Sequence, residues 1–256
     1  MTRERLRADR LLVERGFYES RARAQAAIAA GLVRADGRPV ARASDALAPD
    51  AAIAAGQPHP YVSRGGVKLS AALDAFGFDP AGRACLDVGA STGGFTDVLL
   101  RRGAAHVYAV DVGRGQLHAS LAADPRVTSL EGTDVRRLKP GTLGDAPSLV
   151  SVDVSFIALR LVLPAVAPLL APGAALAALI KPQFEAGRAR IGRGGIVRDE
   201  AVHAEVCASV AGCLGDLGFS VLATLPSPVA GGDGNREFLI GATAPLARGQ
   251  PGLQNA

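Results

Sequence analysis

The chain predicts an α/β fold: a doubly wound, Rossmann-like sheet of seven strands with the last antiparallel, preceded by a small α+β module. Three observations carry this. Apolar runs of five to seven residues alternate with helix-length segments from residue 84 onward. A glycine-rich turn follows the first of those runs. The first 56 residues follow a separate pattern of two short helices and a hairpin. Hydrophobic residues make up 48% of the 256, enough for a sizeable core, and charged residues make up 20%, below the roughly 25% of an average soluble protein.

Residues 7–16 read as a helix with Leu11, Leu12 and Val13 on its apolar side and Gly16 as its end. Ser20 is an N-cap for a second helix over 21–30, with Gly31 at C′. Asp36-Gly37 is a tight hairpin signal, because that turn needs positive φ. Residues 57–64, with Pro58 and Pro60, form a linker. The second domain spans 65–245, and 246–256 is a flexible tail. A helix over 66–76 precedes strands at 84–88, 106–111, 127–131, 149–154, 174–180, 220–225 and 237–242. A last helix covers 199–217. The final two strands are joined by a loop without a helix, so the seventh runs antiparallel.

Net charge is +4, and the distribution is uneven: residues 1–60 hold 10 Arg against 7 Asp or Glu. The basic excess sits where a polyanion contact is easiest to build. Three cysteines without Cys-x-x-Cys spacing fit a reducing cytoplasm, and neither a disulfide framework nor a metal site. No signal peptide and no uninterrupted apolar run of about 18 residues is present, so no membrane association is expected.

Asp87-Val88-Gly89-Ala90-Ser91-Thr92-Gly93-Gly94-Phe95 forms the first strand-to-helix turn. Its spacing departs from the Gly-x-Gly-x-x-Gly that cradles a pyrophosphate. An acidic residue at the strand end, Asp87, suits a cationic amine, which S-adenosylmethionine carries. Asp111 ends the second strand, the usual place for a carboxylate on ribose hydroxyls, a position that NAD would equally use. Asp134, after the third strand, would accept from an adenine amino group. Gly89, Ser91, Gly93, Gly94 and Phe95 complete the expected cofactor site.

The only lysines are Lys68, Lys139 and Lys181 in a chain that otherwise uses arginine. A retained lysine hints that a titratable amine is wanted. Lys181 ends the fifth strand, Asp153 ends the fourth, Glu237 opens the antiparallel seventh, and Lys68 lies on the helix before the first. All four can meet at the carboxyl edge of the sheet, in the order K-D-K-E. A structural salt-bridge cluster is the alternative.

Two resemblances follow. Ser20-Arg21, Ala24, Ile28, Gly31, Val33 and Asp36-Gly37 resemble the S4 RNA-binding domain, here over 1–56. That resemblance implies RNA contacts from Arg3, Arg5, Arg7, Arg10, Arg21, Arg23 and Arg34, against the alternative of a solvated face. The K-D-K-E order and glycine turn resemble the FtsJ-like 2′-O-methyltransferases. Ser63-Arg64-Gly65-Gly66-Val67-Lys68-Leu69, Val152-Asp153-Val154-Ser155-Phe156-Ile157, Lys181-Pro182-Gln183-Phe184-Glu185 and Gly234-Asn235-Arg236-Glu237 resemble its TlyA branch. This implies S-adenosylmethionine as cofactor and 2′-O-methylation of cytidine in ribosomal RNA, within the small and sometimes the large subunit. It implies Lys181 as general base, oriented by Asp153 and Glu237, with Lys68 positioning the hydroxyl. Arg64, Arg188 and Arg193 are further expected RNA contacts, the last two in a Gly-rich basic loop. The expected partner is ribosomal RNA or a ribosomal subunit, with no obligate protein partner evident. Some members of this branch carry the name haemolysin, so a membrane-active toxin is one rival reading. A non-catalytic RNA-binding or assembly factor is a second, and base methylation is a third, against which Asp153-Val154-Ser155-Phe156 lacks the prolines of an Asn/Asp-Pro-Pro-aromatic motif.

Overall fold

A computed structural model of the chain describes residues 5–56 and 59–246. Arg3 and most of the expected tail lie outside them. The chain divides into two compact units between Pro60 and Tyr61.

The first unit contains β1 (Leu6–Arg7), α1 (Ala8–Glu14), α2 (Arg21–Ala29), β2 (Val33–Ala35), β3 (Arg38–Pro39), β4 (Ala46–Leu47) and β5 (Ile53–Ala55). Ser20 caps α2 by accepting from the Arg23 N–H, and Asp36 and Gly37 both have positive φ, so both local signals resolve as read. The hairpin gains a third strand: β2 pairs with β3 and β5, while β1 pairs with β4. Its small core joins Leu12, Tyr18, Ala24, Ala27, Ile28 and Val33. Asp9 is fully buried and accepts from Arg7, Arg21 and Gln25. The Arg7 guanidinium, ahead of Arg21 and Gln25, holds the Asp9 carboxyl well below the usual range despite its burial.

The second unit contains α3 (Gly65–Phe76), β6 (Ala84–Val88), α4 (Gly94–Arg101), β7 (His106–Asp111), α5 (Ala119–Ala122), β8 (Val127–Glu131), β9 (Leu149–Val152), α6 (Leu159–Val166), β10 (Ala175–Ile180), α7 (Pro182–Glu185), α8 (Glu200–Asp216), β11 (Ser220–Pro226) and β12 (Phe238–Thr243). The sheet order is β11-β12-β10-β9-β6-β7-β8. Pairings from β10 through β9, β6 and β7 to β8 are parallel, and β12 is antiparallel to both neighbours. Strands buried on both faces read as continuous apolar runs, which is why β10 is Ala-Leu-Ala-Ala-Leu-Ile with every residue buried. Leu69 and Leu73 of α3 and Val98 and Leu99 of α4 cover one face. Val162 and Leu163 of α6 and Val206, Val210 and Leu214 of α8 cover the other. The strand order reverses between β6 and β9, the switch point where such sheets bind ligands. Among the described residues, no helix is long and apolar enough to cross a membrane.

Asp87 departs from expectation. It lies fully buried within β6 and accepts from Thr96 Oγ1 at 2.7 Å on α4 and Ser151 Oγ at 3.1 Å on β9. It supports the turn from beneath and does not line the cavities described below. Burial pushes its carboxyl up to about 7, against the two hydroxyl donors and with a smaller push from Asp153. An aspartate in the unfolded chain loses its proton near 4. Between those values the folded state holds a proton that the unfolded state lacks. The group's contribution is therefore most favourable below about 4 and falls, by roughly a few kcal/mol, as pH rises through about 7. Asp87→Asn, which stays neutral, should gain stability relative to the parent between pH 4 and 8, measured from denaturant midpoints. Parallel pH dependence in the two proteins would contradict this.

Candidate active site

The turn after β6 is shaped by a close crossing. A Cβ on Gly89 would lie 2.3 Å from the Asp153 carbonyl oxygen, so only glycine lets the loop after β9 pass there. The Asp153 N–H in turn donates to the Val88 carbonyl at 2.9 Å. On the other side, Asp111 accepts from the Ser91 N–H at 2.8 Å and the Gly113 N–H at 2.6 Å, one on each carboxylate oxygen. Each oxygen keeps a further lone pair.

Three adjoining cavities open along this edge. The first, about 750 Å³, is lined by Gly89, Ser91, Asp111, Asp134, Phe156 and the apolar Val112 and Leu161. Val112 and Leu161 are 73% and 57% exposed, so a flat apolar ring would cover surface that water now wets. An acceptor-only carboxylate beside apolar walls fits the ribose diol and base of an adenosyl group. Asp134 is on this wall, but its carboxylate accepts from the Arg136 backbone N–H and forks with the Arg136 guanidinium. Arg136 therefore shares the carboxylate that the adenine was expected to use.

The second cavity, about 250 Å³, lies between Ser63, Arg64, Lys68, Gly94, Phe95 and Asp153. Ser63 and Arg64, read as linker, line this cavity in the second unit, and the Val62 N–H donates to Asp97 on α4 at 2.9 Å. Gly93 is not on any of the three walls. It is the left-handed N-cap of α4 and packs against Leu117 and Leu121, which leave no room for a Cβ.

The third cavity, about 520 Å³, brings Lys68, Lys181 and Glu237 together with Ser155, Phe156 and Phe184. The four K-D-K-E residues do converge, as two ion pairs. Lys181 Nζ lies 2.6 Å from Asp153 Oδ1, and Lys68 Nζ donates to Glu237 Oε2. Glu237 thus partners Lys68 and not Lys181, a correction to the expected orientation of the base. Burial pushes the Glu237 carboxyl up, opposed first by Lys68. Lys181 also donates to Ser155 Oγ at 2.9 Å.

Phe156 was missed as a site residue. It has a φ of +64°, is 92% exposed, and its ring centroid is 5.2 Å from that of Phe184. An aromatic held in a left-handed conformation and in water is held there against both steric and hydrophobic preference. Its place in the motif after Asp153 was the signal available. Asn235 was also missed: fully buried, it accepts from the Val197 N–H and donates to the Gly195 carbonyl, pinning the basic loop. Arg188 and Arg193 are exposed on that loop, while Arg190 pairs with Glu205. In the first unit Arg5 is exposed, Arg7 and Arg21 serve Asp9, Arg10 pairs with Glu14, Arg23 with Glu19, and Arg34 donates to the Gly37 carbonyl. Their poses are set by these partners.

Comparison with known proteins assigns a family to each unit. Residues 61–244 match the FtsJ-like methyltransferase family and residues 6–53 match the S4 domain. A 16S/23S rRNA (cytidine-2′-O)-methyltransferase, TlyA of Mycobacterium tuberculosis, is 45% identical over 92% of this chain and 89% of its own. Hemolysin A of Brachyspira hyodysenteriae is 38% identical over 91% of this chain and 98% of its own. A solved structure of a candidate hemolysin from Streptococcus thermophilus aligns with TM-score 0.75 at 42% identity, covering 96% of this chain and 91% of that one. A conserved-length match of this kind to both domains leaves one assignment: the chain belongs to the FtsJ-like, S-adenosylmethionine-dependent methyltransferases, in the TlyA branch that joins an S4 domain to the catalytic one.

Proposed function

We propose that the protein methylates the 2′-oxygen of a cytidine in ribosomal RNA, within a ribosomal subunit in the cytoplasm, with the S4 unit and the basic loop gripping RNA phosphates. The observation that carries this is the pair Lys181–Asp153 at the junction of the adenosyl-sized cavity and the Phe156-walled one. S-adenosylmethionine, when bound, supplies a methyl group on a sulfonium whose bonding pair stays with sulfur as the methyl leaves. Asp111 would hold the ribose of that cofactor, and Val112 and Leu161 would cover its adenine. Lys181 is the general base: it takes the 2′-hydroxyl proton on its Nζ lone pair, and the freed oxygen pair forms the bond to the methyl carbon. Asp153 stabilises the ammonium that results. Lys68, neutralised by Glu237, holds the acceptor hydroxyl from the other side. Phe156 offers an aromatic face to the unstacked base. Discrimination of cytidine from other nucleosides is taken from the M. tuberculosis relative's activity.

Lys181→Ala should fold and bind S-adenosylmethionine as the parent does, while methyl transfer to ribosomal subunits falls at least about 100-fold. Near-parental turnover would remove Lys181 from the mechanism. Asp111→Ala should weaken S-adenosylmethionine about 10- to 100-fold, the loss of charge-assisted hydrogen bonds, as read by calorimetry. Mass mapping of 2′-O-methyl groups on both ribosomal RNAs, from cells with and without the gene, should reveal a cytidine whose methyl depends on it. Identical maps would overturn the proposed substrate.

A further inference from the structure

We infer that Ser155 is a positioning residue that aims the Lys181 lone pair at the acceptor hydroxyl. This rests on the reading of Lys181 as base. Ser155 Oγ accepts from Lys181 Nζ at 2.9 Å and borders both the adenosyl-sized cavity and the Phe156-walled cavity. The loop that carries it is pinned at both ends. At its start the Asp153 N–H donates to the Val88 carbonyl, and at its end the Leu159 N–H donates to Glu185 Oε1 at 2.6 Å. Glu185 closes α7, which begins directly after Lys181, so the loop bearing Ser155 is tied to the segment bearing the base. Phe156, next in the chain, holds a φ of +64°, a conformation that costs a non-glycine residue and persists only where its surroundings impose it.

The argument is one of tetrahedral geometry. A neutral lysine amine has two N–H bonds, one bond to Cε and one lone pair. The 2.6 Å ion contact with Asp153 Oδ1 holds the head group in place but makes no hydrogen bond, so by itself it leaves the lone pair three staggered positions about the Cε–Nζ bond. Ser155 Oγ does accept a hydrogen bond from Nζ, fixes one N–H and so removes one of those positions from the lone pair. Lys181 and Ser155 both line the third cavity. Lysine is otherwise poorly suited to the task, since its four-carbon stem and rotating head carry no preferred aim. Transfer of the hydroxyl proton to Nζ then occupies the vertex that the lone pair held.

The test compares Ser155→Ala and Ser155→Thr in the full chain, with ribosomal subunits from cells lacking the gene and labelled S-adenosylmethionine. Ser155→Ala should lower kcat about five- to tenfold, the effect of one lost hydrogen bond and a wider set of orientations. KM for both substrates should stay within about twofold. Ser155→Thr keeps the hydroxyl and should recover most of the rate. Three outcomes would overturn the inference: an alanine variant whose kcat stays within about twofold of the parent; a defect confined to KM, which would make Ser155 a cavity wall; and equal loss in both variants, which would make the hydroxyl irrelevant. Lys181→Ala run in parallel separates the two readings. If it stays active, the base assignment fails; if it is inactive and Ser155→Ala is unimpaired, only the role of Ser155 fails.

Discussion

The site depends on one steric constraint, the crossing of the Asp153 backbone over Gly89 at the strand-order reversal. With the Asp153 carbonyl 2.3 Å from where a Cβ would sit, two loops that belong to adjacent parallel strands share one layer. That contact brings the glycine turn after β6 and the loop after β9, which bears Asp153, Ser155 and Phe156, within reach of each other. Asp153 consequently borders two of the three cavities, and Ser155 and Phe156 border a different two. A larger residue at position 89 would lift the loop, and with it the carboxylate, the hydroxyl and the aromatic that it carries.

Charge is organised in the same economical way. A buried ion left without its partner costs about 3–5 kcal/mol, so cations and anions at this edge come two by two. Lys68 with Glu237 and Lys181 with Asp153 form two neutral pairs, with side chains no more than about a fifth exposed. Pairing lets two lysine head groups share one acceptor cavity, because each has a carboxylate to meet the charge it carries or acquires. Asp87 follows a different solution beneath them. With no cation beside it, it relies on two hydroxyls and on retaining its proton.

The first unit uses an aspartate differently again. Asp9 is buried but shares its charge with Arg7 and Arg21, whose guanidinium groups remain about half exposed. One carboxylate thus both knits α1 to α2 and orients two arginines whose outer edges stay available to phosphate. In a unit with a small, alanine-rich core such a knot matters, since a module of about 60 residues has little burial to spare.

Much of this architecture was written in local pattern. Ser20, Asp36-Gly37 and the apolar runs of the seven strands act through residues within a few positions of one another, so the chain itself determines caps, turns and strand positions, and the helix-free loop before the last strand signals its antiparallel run, while the order of the strands appears only in the packed sheet. The two-residue strands β1, β3 and β4 are too short to show periodicity, and the pairing that defines them appears only on folding. The K-D-K-E residues were legible because strand ends in an α/β sheet fall at one edge. Which acid serves which lysine was not: Lys68 and Glu237 are 169 positions apart, and packing alone selects their contact. The same holds for Asp87, read as a ligand contact from its place at a strand end. Whether a strand-end side chain points into a cavity or under a turn depends on what the neighbouring strand and helix place against it, here Ser151 and Thr96. Sequence determined which chemistry the edge could hold; tertiary structure decided the partners, because hydrogen bonds and steric crossings between distant segments exist only once those segments are packed.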